Sequence, residues 1–274
     1  MNKLPLVQML QKRSFQVRLI SALILISIAL AGVFAGGYFF TALAGLFGAF
    51  MLVEWKNISD PNGKNLPHIL NGFALVTTVL LTTLGHITLS GIVLFSFVFL
   101  NSLERARRGG AWRAGFGLLY LLLPVLLLLL LRDMHGGLGL MLFIFTVVWA
   151  ADSGAYLLGS IIRGPKLWPE ISPNKTWSGF FGGIFLGTVS GAVLAISLGR
   201  DPVAYGGLAF VLTIVAAGGD LLISRMKRHF GVKDTGDTIP GHGGVIDRMD
   251  AFLAAVLVCS ALIYEFPGIW GRFL

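Results

Sequence analysis

The chain has 274 residues, of which 55% are hydrophobic and only 12% charged, about half the charged share usual in a soluble domain. Together with a mean hydropathy of +0.82, this composition excludes an ordinary water-soluble fold and points to lipid. A net charge of +8 and a pI near 9.9 would suit nucleic acid in a soluble protein; here the bases fix topology and hold anionic lipid or nucleotide phosphates, and no nucleic-acid partner is expected.

A membrane helix needs about 20 mainly apolar residues. Nine stretches qualify, near 17–35, 37–53, 69–85, 87–103, 114–131, 137–159, 179–199, 203–224 and 248–267. The fold class is therefore all-α: a polytopic membrane protein of about nine transmembrane helices, with its N-terminus inside. Residues 1–16 read as a basic topogenic tail, the alternative being a short amphipathic interfacial helix. The first apolar stretch has no evident cleavage site and reads as a retained anchor. Only Gly85 and His86 separate the third and fourth stretches, so that pair reads as a tight hairpin or as partly re-entrant. Tyr120 and the leucine run after Pro124 read as lipid-facing helix. Arg105, Arg107 and Arg108 read as topogenic. Cys259 is the single cysteine, so no intrachain disulfide can form.

Charge placement supports the count. Alternating from an inside N-terminus puts all 21 Lys and Arg residues on the inside except Arg132, Arg200 and Arg272, as the positive-inside rule requires. The inside loops 160–178 and 225–247 are long and polar, whereas the outside connections are short. Two regions follow: 1–140, with about five helices for lipid and oligomer contacts, and 141–274, which carries the catalytic loops.

Asp152 and Asp220 lie within apolar sequence, and Asp250 opens the last span. A carboxylate at bilayer depth costs roughly 2.5–3.5 kcal/mol, so such residues face a polar cavity, a partner or an ion. Asp220 and Ser224 are four apart, with Lys227 three further on, and so share a helical face. Asp247 and Asp250 are three apart and share another. Two helix ends could thus bring Asp220, Asp247 and Asp250 together. Carboxylates without thiolate or imidazole suit a hard cation such as Mg²⁺.

The loop between the last two stretches runs Ser224-Arg-Met-Lys-Arg-His-Phe-Gly-Val-Lys-Asp-Thr-Gly-Asp-Thr-Ile-Pro-Gly-His-Gly-Gly-Val-Ile-Asp-Arg-Met-Asp250. Ser224, Lys227, Arg228, Lys233, Asp234, Gly236, Pro240, His242, Gly243, Gly244, Asp247, Arg248 and Asp250 occupy every fixed position of a signature that this loop resembles, that of the phosphatidate cytidylyltransferases, or CDP-diacylglycerol synthases. A second stretch is similar to the family: Asp152-Ser-Gly-Ala-Tyr156, Gly159, Ile171-Ser-Pro-Asn-Lys-Thr176 and Gly179. Ser178 departs from the Glu or Gln often found there. The resemblance is specific over about 150–250.

The resemblance implies a helical membrane enzyme, typically a homodimer. It would convert CTP and phosphatidate to CDP-diacylglycerol and pyrophosphate, using Mg²⁺, with a second cation left open, at a cytoplasmic face of the cell inner membrane. On that reading Asp220, Asp247 and Asp250 hold metal, and Asp247, Asp250, Lys227, Lys233 and His242 form the catalytic set. Ser224, Lys175, Arg228, Arg248, Gly243, Gly244 and Asp152 bind substrate, the glycine run allowing close backbone approach to phosphate. The rivals are a CTP-dependent polyprenol kinase and, from another class, an ion transporter.

Overall fold

The computed structural model describes residues 4–63 and 65–266, with side chains from residue 16 onward except that of Arg18. The tail reading and the bases Lys3, Lys12, Arg13, Arg18, Lys64 and Arg272 therefore lie outside the described side chains. Nine helices are present among the described residues: α1 (Leu4–Ala35), α2 (Gly37–Ser59), α3 (Leu66–Thr83), α4 (Ile87–Ala106), α5 (Ala111–Asp133), α6 (Gly137–Ile162), α7 (Trp177–Ser197), α8 (Pro202–His229) and α9 (Ile246–Glu265). The seven from α2 to α8 are long and apolar enough to cross a membrane, which makes this a multi-pass membrane architecture. The charges at the start of α9 and the described length of apolar sequence in α1 keep those two out of that set.

The fold departs from the all-α reading in one place. Loop 160–178 folds into an antiparallel hairpin of β1 (Lys166–Trp168) and β2 (Ser172–Thr176). Thr176 closes it by capping α7, its side chain accepting from the Gly179 amide at 3.1 Å. Ser178, the departure noted above, bonds the Thr176 hydroxyl at 3.0 Å and donates to the Arg163 carbonyl. It thus ties the two ends of the loop together.

The α3–α4 hairpin is as tight as its sequence requires. Gly85 turns with φ 82°, and the His86 amide reaches back to the Leu81 carbonyl at 2.8 Å. Helix α5 corrects the lipid-facing reading. Leu126, Leu128, Leu129 and Leu131 are buried, and so is Tyr120, whose hydroxyl points to the Asp250 carbonyl at 3.4 Å. A helix apolar all round is a core helix when other helices surround it; α5 packs on α2, α4 and α9. Arg105 is also buried, paired with Asp60 and donating to the Ser59 carbonyl at 2.9 Å. It fastens the end of α2 to the end of α4.

The closest helix pair is α6–α7. Gly179, Gly183, Gly187 and Gly191 recur every four residues and form one stripe of α7, facing α6. A Cβ on Gly183 would lie 2.8 Å from the Ala151 carbonyl oxygen, and one on Gly179 would lie 2.8 Å from that of Ala155. Small residues let membrane helices approach backbone to backbone, where dispersion replaces the missing hydrophobic force. We expect Gly183→Leu to destabilise the protein by about 1–3 kcal/mol or more through overpacking, read as a lowered Tm in detergent. Gly207→Leu, where a Cβ meets nothing within 4 Å, should leave Tm unchanged.

Candidate active site

The ends of α2, α4, α6 and α8 and the starts of α3, α5, α7 and α9 meet at one end of the bundle. Trp55 of α2 donates to the Arg113 carbonyl at 2.9 Å and lies edge-on to Phe230 at 5.4 Å. Arg228 of α8 donates to the Ile171 carbonyl at 3.3 Å and to that of Val232 at 3.1 Å. All the long polar loops therefore share this end, as the charge pattern implied.

The candidate acids lie deeper. Asp152 is ten residues before the end of α6 and Asp220 nine before the end of α8, depths of about 13–15 Å at 1.5 Å per residue. A cavity of about 600 Å³ reaches them, lined by Asp152, Asp220, Lys227, His242, Asp247, Arg248 and Asp250 among others. A second, of about 490 Å³, lies between α6, α7, α8 and the hairpin. It also touches Asp152 and Asp220, and it includes Asn174 and Lys175. The two carboxylates thus form a shared wall.

Each acid has its own partners. Asp220 accepts from the Ser224 hydroxyl at 3.2 Å, as the one-face spacing predicted, and pairs with Lys175 at 2.5 Å. Asp247 pairs with Lys227 at 2.6 Å through Oδ1. Its Oδ2 accepts from the Thr235 amide (2.8 Å) and the Gly244 amide (3.2 Å) and shares the Thr235 hydroxyl, 3.1 Å away, with Glu54. Asp250 is buried. It accepts from the Ala251 amide at 2.8 Å, with no ion pair among the described residues. Asp152, Asp220 and Asp250 are electrostatic neighbours.

The sequence-predicted set is therefore partly assembled. Among the described residues no three acidic, His or Cys side chains are close enough to form a metal cage, so Asp220, Asp247 and Asp250 do not converge on one point. Asp247 is turned toward the loop and Lys227. Lys233 is exposed and outside both cavities. Arg228 braces the hairpin and does not line them. Gly243 and Gly244 do not offer open amides to a phosphate: the first donates to the Ile239 carbonyl at 3.2 Å and the second to Asp247. Gly244 is required for packing, since a Cβ there would lie 2.6 Å from Glu54 Oε2. Arg248 is aimed by two bonds to the His242 carbonyl, at 3.2 and 3.0 Å. The His242 ring bonds Ser21 of α1 at 2.7 Å.

Sequence reasoning missed Glu54. This side chain of α2 is buried and accepts four hydrogen bonds. Thr238 Oγ1 (2.5 Å) and the Val245 amide (2.8 Å) reach Oε1; Thr235 Oγ1 (3.0 Å) and the Ile246 amide (3.0 Å) reach Oε2. The last two amides would otherwise be orphans at the start of α9, and a carboxylate there is further favoured by the helix dipole. The only sequence signal was an acid between Val53 and Trp55, at the end of an apolar run.

The loop that Glu54 and Asp247 organise is the one carrying the signature, and the comparisons agree with it. The model of the cytidylyltransferase family matches residues 16–266. The chain belongs to the cytidylyltransferase family. A protein named phosphatidate cytidylyltransferase from Brucella suis biovar 1 is 38% identical over 265 residues, spanning 94% of this chain and 95% of that one. Those of the same name from Staphylococcus epidermidis and Staphylococcus aureus are 32% and 30% identical over 260 and 258 residues, each spanning 91% of this chain and 99% of the relative. The family similarity runs through α1 to α5 as well, beyond the 150–250 stretch that carries the motifs.

Glu54→Gln keeps the shape but replaces one accepting oxygen with an NH₂ group that faces two buried donors. A buried mismatch costs about 1–3 kcal/mol. We expect faster hydrogen exchange at Val245 and Ile246 and weaker activity, with exchange in α3 and α4 unaltered.

Proposed function

We propose that this member of the cytidylyltransferase family transfers a cytidylyl group from CTP to phosphatidate, giving CDP-diacylglycerol and pyrophosphate for phospholipid synthesis. The observation that carries the reading is a deep cavity between α6, α8 and α9 in which Lys227, Arg248 and His242 stand among carboxylates, with the complete signature loop at its mouth, in a chain matched over more than nine-tenths of its length by proteins named phosphatidate cytidylyltransferase. A two-tailed phosphomonoester and a water-soluble nucleotide both have access to such a place.

A phosphatidate oxygen attacks the α-phosphorus of CTP. The new P–O bond forms as the bond to the bridging oxygen breaks, and pyrophosphate leaves with the electron pair. The monoester is largely ionised near neutral pH, its second pKa being about 6, so no strong base is needed. The obstacle is repulsion between two anions. Lys227 and Arg248 face the cavity and supply fixed positive charge to phosphate oxygens, with His242 beside them as a hydrogen-bond partner. Lys175 brings charge from the other side of Asp220.

The residues fit a hard cation. Asp250 is a buried carboxylate without a basic partner among the described residues, Asp220 and Asp152 are its neighbours, and no cysteine lines the cavity among the described residues. Mg²⁺ is usually bound through one or two carboxylates, with water and substrate phosphates completing its shell. Asp220 and Asp250 would hold it, and Asp247 would set Lys227 and the loop. When bound, the cation screens the phosphates and stabilises the charge on pyrophosphate. We further propose that the polar end faces the cytoplasm, that the membrane is the inner membrane, and that the chain works as a homodimer.

The test is turnover of CTP and phosphatidate by the purified protein with Mg²⁺, following pyrophosphate and labelled CDP-diacylglycerol. The wild type should form product, EDTA should abolish it, and Asp250→Asn should lower kcat by about a hundredfold or more. Asp247→Asn should also lose activity, with Lys227 no longer held. CDP released with a polyprenol, and no product from phosphatidate, would identify a kinase; no nucleotide-dependent product would leave the transporter.

A further inference from the structure

We infer that the groove between α1 and α2 is the binding site for an acyl chain of the lipid substrate, an assignment that rests on the proposed reaction. The groove encloses about 520 Å³. Its α1 wall runs from Val17 to Ile28, which at 1.5 Å per residue is about 16 Å. That is close to the hydrocarbon depth of one leaflet, about 15 Å. Ile20, Ile24 and Leu46 are 57, 52 and 53% exposed along it.

Exposed apolar side chains are ordinary on a membrane helix, but this groove is concave and has a built inner end. Ile239 and Pro240 of the signature loop fold across it. Its two polar side chains are already committed elsewhere. Ser21 bonds His242 and the Pro240 carbonyl, and Thr238 bonds Glu54. What remains to meet a ligand is hydrocarbon.

A wall shared with the polar cavity decides the occupant. Leu25, Phe47, Ile239 and Val245 line both spaces. On one side of that wall stand Lys227, Arg248 and His242; on the other stands the apolar channel. An anionic head joined directly to a long hydrocarbon tail matches both at once. A second protein helix would fill the groove but present no phosphate to the cavity. A long tail seated in the channel gains packing contacts that a short one cannot reach, so affinity should depend on chain length here.

The experiment uses the full chain in detergent with dioleoyl and dihexanoyl phosphatidate. Leu46→Trp and Ile24→Trp narrow the channel. We expect each to raise KM for the dioleoyl lipid about tenfold, with KM for CTP and for the dihexanoyl lipid within about twofold of wild type. Equal losses with both lipids, or none with either, would overturn the assignment. The wild type offers a measurement free of folding effects: phosphatidate with a mid-chain diazirine should label peptides spanning 20–28 and 43–50. Labelling confined to α3, α4 or α7, or cross-linking of the groove to a second copy of the chain, would also overturn it. A wild type that turns over dihexanoyl phosphatidate but fails these tests removes the groove and keeps the reaction. A wild type that turns over neither lipid removes both.

Discussion

A carboxylate of α2 holds the start of α9 and three further points of the loop before it, and the geometry of the site follows from that contact. Glu54 is some 180 residues from its partners Thr235, Thr238, Val245 and Ile246. In water such a group would be solvated and the contact worth little. Here it is buried among apolar helices, where an unpaired carboxylate is expensive and a fully bonded one is strongly held. Its four donors fix the loop, the loop amides fix Asp247, and Asp247 fixes Lys227. The first α9 turn, and with it Asp250, is thereby placed beneath the cavity.

The rest of the site is a balance of charge at depth. Two of its acids carry their own lysines, Asp220 with Lys175 and Asp247 with Lys227, and two, Asp152 and Asp250, form no ion pair among the described residues. Breaking either pair from one side would leave a partly buried charge, which costs far more than an exposed pair contributes.

Much of this was legible in the sequence, for reasons that also explain what was not. The helices were visible because lipid demands unbroken apolar runs. The acids Asp152, Asp220 and Asp250 stood out because lipid penalises them, and the one-face pairing of Asp220 with Ser224 followed from helical spacing. Lys233 shares a loop with the site yet does not face it, since a loop has no fixed period from which to read direction, and Arg228, in the last turn of α8, reaches to the hairpin instead. Glu54 was hidden because its partners are remote, and an acid ending a span looks like an interfacial residue. The leucines of α5 were misread because burial in protein and burial in lipid select the same side chains. The hairpin of 166–176 was missed because its strands are three and five residues long, too short for an alternating pattern. The glycine stripe of α7 was present at its four-residue spacing but says nothing until its partner helix is known.

That stripe also governs compliance. Where two helices touch through their backbones, no side-chain rotamers lie between them to yield, and any relative shift drives carbonyl oxygen into Cα. Helices α6 and α7 therefore behave as a single thick rod with Asp152 on one half and Lys175 just ahead of the other. The spacing of those two groups is set by the main chain and does not adjust to what is bound. Any yielding to lipids of different bulk falls instead to α1, which meets the loop through a serine and a histidine and otherwise through soft aliphatic side chains. The molecule thus separates a stiff gauge for the phosphates from a pliant wall for the tails.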